Sequence, residues 1–175
     1  LIRRAKAEAK AKAAAEAAPS APAPLPALMP PLELRSVPPM PPALPALPGS
    51  AYYIPDFISE ADEALLLQHI FAAPAERWSP GRGRRTQNYG GVPGQCKITE
   101  ELPPWLLQLV DGLVRGGAWP LAEDGVAHAP NHVIINDYSD GRLGLTPHSD
   151  GPMYAPRVAV LSLLWDGVLE LHRPC

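Results

Sequence analysis

Apolar positions in this chain recur first at helical spacing and later in short β-like runs, so the predicted elements change character along the sequence. Leu65, Leu66, Ile70 and Phe71 keep helical spacing, with Ser59 ahead of them as a cap and Asp62 completing a weak capping box. Pro74 marks the end of that helix. A second helix is expected from Pro103-Pro104, carrying Trp105, Leu106, Leu109, Val110 and Leu113 up to Gly116-Gly117. Before these helices, the aromatic and β-branched stretch 51–58 reads as a strand. Between them, residues 77–89 are polar, with Gly81 and Gly83 in a turn. Further β-like runs follow at 132–138, 145–148, 158–164 and 168–172. Helices first and strands later predict an α+β arrangement with an antiparallel sheet or jelly roll.

Composition limits this picture to part of the chain. Of 24 prolines, 12 lie in positions 19–48, where a helix or central strand is excluded because proline has a fixed φ and no N–H. Residues 19–49 therefore read as a Pro-rich linker with polyproline II character; a spacer is the plainer reading, and a docking motif for an SH3-type partner the alternative. Residues 1–18 read as a basic Ala-rich helix or tail, with Arg3, Arg4, Lys6, Lys10 and Lys12 against Glu8 and Glu16. A targeting peptide is the alternative, and the two acids and the lack of serine there weigh against it. The foldable part is residues 50–175. The sequence opens at Leu1 rather than methionine and closes at Cys175 after a strand-like run, so the expectation is a fragment.

The formal net charge of −3 argues against a chain-wide basic footprint for nucleic acid, but Arg77, Arg82, Arg84 and Arg85 form a local one. Two cysteines, Cys96 and Cys175, make no disulfide framework and favour a reducing compartment, hence nucleus or cytoplasm. No 18-residue apolar run is free of breakers, so a membrane span is not expected. Nothing here sets an oligomeric state.

The strongest chemical signal is Thr146-Pro147-His148-Ser149-Asp150-Gly151-Pro152. In an extended strand, residues two apart share a face, so His148 and Asp150 can offer a nitrogen and a carboxylate oxygen to one cation. That is half of a two-histidine, one-carboxylate facial triad, which leaves positions open on Fe(II). The same tripeptide also reads as a His–Asp pair tying down a turn. Twelve residues earlier, Asn136 and Tyr138 share a face and can donate hydrogen bonds to a bound carboxylate without adding charge. A sheet tyrosine beside a turn asparagine is the plainer reading. The segment Arg84-Arg85-Thr86-Gln87-Asn88-Tyr89-Gly90-Gly91 suits a phosphate or a stacked base, or a solvated hairpin.

Taken together, five motifs in order resemble the AlkB-type Fe(II)- and 2-oxoglutarate-dependent dioxygenases, and within them the AlkB homologue six branch. They are Tyr53-Ile54-Pro55-Asp56-Phe57-Ile58, Gln87-Asn88-Tyr89-Gly90-Gly91, Leu102-Pro103-Pro104-Trp105-Leu106, Asn131-His132-Val133 with Asn136-Asp137-Tyr138, and Pro147-His148-Ser149-Asp150-Gly151-Pro152-Met153-Tyr154. The likeness spans residues 52–172. It implies a double-stranded β-helix (jelly roll) with N-terminal supporting helices, incomplete at its C-terminus, with residues 50–175 forming the front part of the domain. It implies His148 and Asp150 as iron ligands, Asn136 and Tyr138 as the 2-oxoglutarate pair, and Arg84, Arg85, Gln87, Asn88 and Tyr89 as a flap over the substrate. Dioxygen and a nucleic acid or protein substrate, demethylated oxidatively, are the implied partners.

The family's second iron-binding histidine and its 2-oxoglutarate arginines lie further along than this sequence reaches, with only 25 residues after Asp150. His172 aligns better with a sheet position than with that ligand, Arg157 comes too early, and Arg173 sits at the end. Little turnover is therefore expected of the 175 residues alone. The alternative is a non-catalytic binding module or pseudoenzyme that keeps the front of the fold. A cupin-like metal enzyme would leave Asn136 and Tyr138 without a purpose. His69, His128 and His132 read as structural, with a contact supporting the metal ligands or a substrate contact open for His132.

Overall fold

Ser59 opens the first helix as its sequence predicts. The computed structural model describes residues 32, 51–92, 95, 97–119, 129–138, 144–155 and 157–172. The expected N-terminal helix and, except for Leu32, the Pro-rich linker lie outside them, as do Cys96, His128, Arg173 and Cys175. Helix α1 spans Glu60–Phe71. The Ser59 hydroxyl accepts from the Asp62 N–H at 3.1 Å and donates to the Asp62 carboxylate at 2.7 Å, satisfying one of the helix's unpaired amides. Glu60, Asp62 and Glu63 place negative charge where the helix dipole is positive. The helix buries Leu66 and Ile70 and ends on the Ala72 N–H bonded to the Gln68 carbonyl.

A 3₁₀ turn at Ala75–Arg77 leads into strand β1, Ser79–Gly81, and a turn with Gly83 at φ +76° returns the chain as β2, Arg84–Tyr89. Helix α2, Pro104–Arg115, starts on Pro104 with Pro103 ahead of it, positions that need no amide hydrogen. It buries Trp105, Leu106 and Val110. Strand β3, Val133–Asp137, then pairs antiparallel with β2, so the sheet order is β1-β2-β3 with β2 in the middle. Among the described residues the architecture is α+β.

Strand alternation gives this sheet two unlike faces. Gln87 and Tyr89 stand opposite Ile135 and Val133, and this side packs on the helices in a core of Leu66, Ile70, Leu102, Trp105, Leu106 and Val110. Each fully buried leucine there contributes about 1.5–3 kcal/mol. Leu32 packs against the same core. The other side carries Thr86 and Asn88 opposite Asn136 and Ile134, and Ile134 is 42 % exposed.

Two groups of expected strands do not form. Residues 51–58 take no strand partner: Pro55 and Asp56 turn the chain, Asp56 with φ +52°, and Ile58 drops into the core. The runs 145–148, 158–164 and 168–172 have apolar alternation but no ladder among the described residues. Leu161 and Leu163 pack against the core, while Val168 is 90 % exposed. Alternation marks a segment as fit to be a strand; only a paired neighbour makes it one.

Candidate metal and co-substrate site

Pro147 fixes its own φ and biases Thr146 toward extended backbone, and Gly151, at φ +82°, turns the chain immediately after Asp150. Between them the predicted two-residue spacing holds in space. The His148 Nε2 lies 3.3 Å from the Asp150 Oδ1, and both side chains are exposed. The His148 Nδ1 sits 2.8 Å from the Thr146 carbonyl, which can only accept, so the ring proton belongs on Nδ1. In the neutral ring, Nε2 is then the nitrogen left to offer a lone pair to a cation. Two ligand atoms bound side by side to one divalent cation at about 2.1 Å lie roughly 3.0–3.3 Å apart. The pair therefore fits two positions of a metal centre.

Among the described residues no third histidine, cysteine or carboxylate joins them. His172 is exposed, with its Nε2 3.4 Å from Glu170 Oε2. Of the later arginines, Arg157 lies over the Trp119 ring at 5.4 Å.

Asn136 occupies β3 and Tyr138 follows it directly; both are exposed, and strand alternation places them on one face. Asp137 between them points the other way and accepts from the Arg85 Nε at 2.7 Å. The sequence reading missed Asp137, because only the β2–β3 register brings it opposite Arg85.

The flap residues divide by face. Arg84 and Asn88 lie on the open side with Thr86. Arg85, on the helix side, stacks its guanidinium 4.1 Å above Trp78 while holding Asp137. Gln87 and Tyr89 point into the core. Gln87 is 0 % exposed, donates to the Ile70 carbonyl at 2.8 Å and accepts from the Tyr89 hydroxyl at 2.8 Å. Tyr89 also meets Trp105 edge-on and lies under the Arg77 guanidinium at 4.2 Å. With both amide ends satisfied inside the core, Gln87 has nothing left to offer a ligand. The two-residue spacing of Gln87 and buried Tyr89 was the signal for it.

Arg77 also bonds Glu100 at 2.5 Å. Burial works against its charge, but Glu100 and Tyr89 outweigh that and raise its pKa. Of the local basic cluster, Arg77 and Arg85 thus serve the fold, while Arg82 is exposed.

No protein-family model matches the chain. Over 128 residues it is 41 % identical to the probable RNA/DNA demethylase ALKBH6 of Danio rerio, an alignment covering 73 % of this chain. The chain is an AlkB-family relative. It spans about half of that protein's length, 52 %. In this AlkB-family setting the His148–Asp150 pair and the Asn136–Tyr138 pair lie on separate segments: the first on an exposed stretch, the second at the end of β3. A ring stack between His132 and Tyr154 joins those two segments.

Proposed function

We propose that the chain carries the front part of an Fe(II)- and 2-oxoglutarate-dependent dioxygenase that oxidatively demethylates nucleic acid. The observation that carries this reading is the His148 Nε2 held 3.3 Å from Asp150 Oδ1, with Nδ1 tied to the Thr146 carbonyl. His148 and Asp150 would hold the iron. Asn136 and Tyr138 would hold 2-oxoglutarate by donating to a carboxylate. When bound, iron and 2-oxoglutarate supply the oxidising chemistry: dioxygen and 2-oxoglutarate give succinate and CO2, and an N-methyl group leaves as formaldehyde. The Thr146 carbonyl keeps the imidazole in its ligating tautomer and orientation. The Asp150 carboxylate adds a negative charge that favours a divalent cation over water alone.

Arg84 and Asn88 on the open face, with exposed Arg82, form the side that would meet a phosphate backbone. Gln87 and Tyr89 build the underside of that flap. The β1-β2-β3 sheet is read as one wall of a double-stranded β-helix. The relative's name, a probable RNA/DNA demethylase, supports nucleic acid over protein as the substrate. Nucleus or cytoplasm is the compartment proposed.

The second reading is a binding module that keeps the front of the fold without turnover. Its support is that only two candidate ligands come together among the described residues.

Manganese titration followed by electron paramagnetic resonance tests the site on the chain itself. The expected result is binding that weakens at least tenfold in His148→Ala and in Asp150→Ala. Binding indifferent to both changes overturns the assignment. Succinate release with Fe(II), ascorbate and 2-oxoglutarate, measured on a chain carried to the relative's full length, separates the two readings. Release abolished by His148→Ala supports the enzyme, and its absence supports the binding module.

A further inference from the structure

Residues 144–153 are all exposed and form neither helix nor strand, yet they include both proposed metal ligands. Something must hold this stretch in a fixed relation to the sheet if His148 and Asp150 are to act together with Asn136 and Tyr138. We propose that His132 is a positioning residue for the metal-binding stretch, acting through a ring stack on Tyr154. The proposal rests on the metal reading above.

The Tyr154 ring, four positions after Asp150 and half-buried, lies 5.7 Å from the His132 ring at an interplanar angle of 16°. This is the offset-stacked arrangement that two flat rings favour. His132 immediately precedes β3, the strand that carries Asn136.

The edge of the imidazole lies near Gly91, where an added Cβ would come 3.7 Å from the His132 Cδ2. Gly90, at φ +89°, lets the chain approach so closely that a Cβ there would sit 2.0 Å from the Asn131 carbonyl oxygen. A continuous line of contact thus runs from the end of β2, through His132, to Tyr154 and the stretch that holds Asp150.

The chemistry of the ring indicates which part of it matters. The His132 Nε2 is buried and meets no hydrogen-bond partner among the described residues. The contact with Tyr154 is made by the face of the ring, which a phenyl ring of similar shape would also offer.

Manganese affinity of the 175-residue chain reads the positioning effect. Loss of one stacking contact predicts a fall of about 3- to 10-fold in His132→Ala and in Tyr154→Leu. His132→Phe should bind within about twofold of the parent, and the double variant His132→Ala/Tyr154→Leu should lose no more than either single change. Circular dichroism establishes that each variant is folded. An aromatic nuclear Overhauser contact between the two rings should be present in the metal-free protein and absent in the alanine variant.

Three outcomes overturn the proposal alone: no ring contact, no rescue by phenylalanine, or additive losses in the double variant. Each is decisive where manganese binding still depends on His148. Manganese binding that ignores His148→Ala overturns the metal reading and this proposal together, even with the ring contact seen.

Discussion

The Gln87 side-chain amide donates to the Ile70 carbonyl at 2.8 Å, tying the middle strand of the sheet to the last turn of α1. A polar residue in the flap motif is thereby among the most buried side chains described. Replacing it with leucine would take from the Ile70 carbonyl its side-chain donor and from the Tyr89 hydroxyl its acceptor. The expected cost is about 2–4 kcal/mol, read from the urea unfolding midpoint. Manganese affinity of the molecules that remain folded should not change.

Gly90→Ala should be more damaging than its chemistry suggests. The added carbon combines a positive φ with a contact on Asn131 backbone that cannot give way. About 3 kcal/mol or more is expected. Gly144→Ala and Gly167→Ala, where nothing among the described residues lies within 4 Å, should stay within about 0.5 kcal/mol of the parent in the same unfolding series.

Arg85 and Asp137 should couple weakly. Their side chains are 46 % and 22 % exposed, so solvent screens the pair. A double-mutant cycle with Arg85→Ala and Asp137→Asn should give about 0.5–1 kcal/mol of interaction, reduced by added salt. Arg85→Ala alone should cost more than Asp137→Asn alone, because it also removes the guanidinium from the face of Trp78.

His69 gives the stability a pH dependence of definite sign. Burial lowers its pKa in the folded chain below the usual 6.5, and its ring stacks on Trp105 with the centroids 5.5 Å apart. Between the folded pKa and 6.5 the unfolded chain binds more protons, so stability rises with pH through that window and is complete above it. His69→Phe keeps a flat ring on Trp105 and removes the titration. Compared with the parent, its unfolding midpoint should fall less as pH drops below 6.5.

The parts of this fold legible in the sequence are those specified by neighbours along the chain. Ser59 with Asp62, the proline start at Pro104 and the helical spacing of Leu66 and Ile70 each act within a turn or two, and all appear as read. The proximity of His148 and Asp150 was legible for the same reason. Features that depend on distant partners were not. The stretch 158–164 alternates like a strand but has no ladder among the described residues, and Asp137 acquires Arg85 only through the β2–β3 register. The His132–Tyr154 stack joins residues with no periodic relation, so no local pattern announces it.

The unlike faces of β2 separate two kinds of change. Substitutions at Gln87 or Tyr89 disturb the helices beneath them and show up as loss of folded protein. Substitutions at Arg84 or Thr86, on the other face, should alter what the outer surface can grip more than the packing beneath. Six consecutive positions can therefore drift toward a new ligand on every second residue, with the alternate residues keeping the strand where it is.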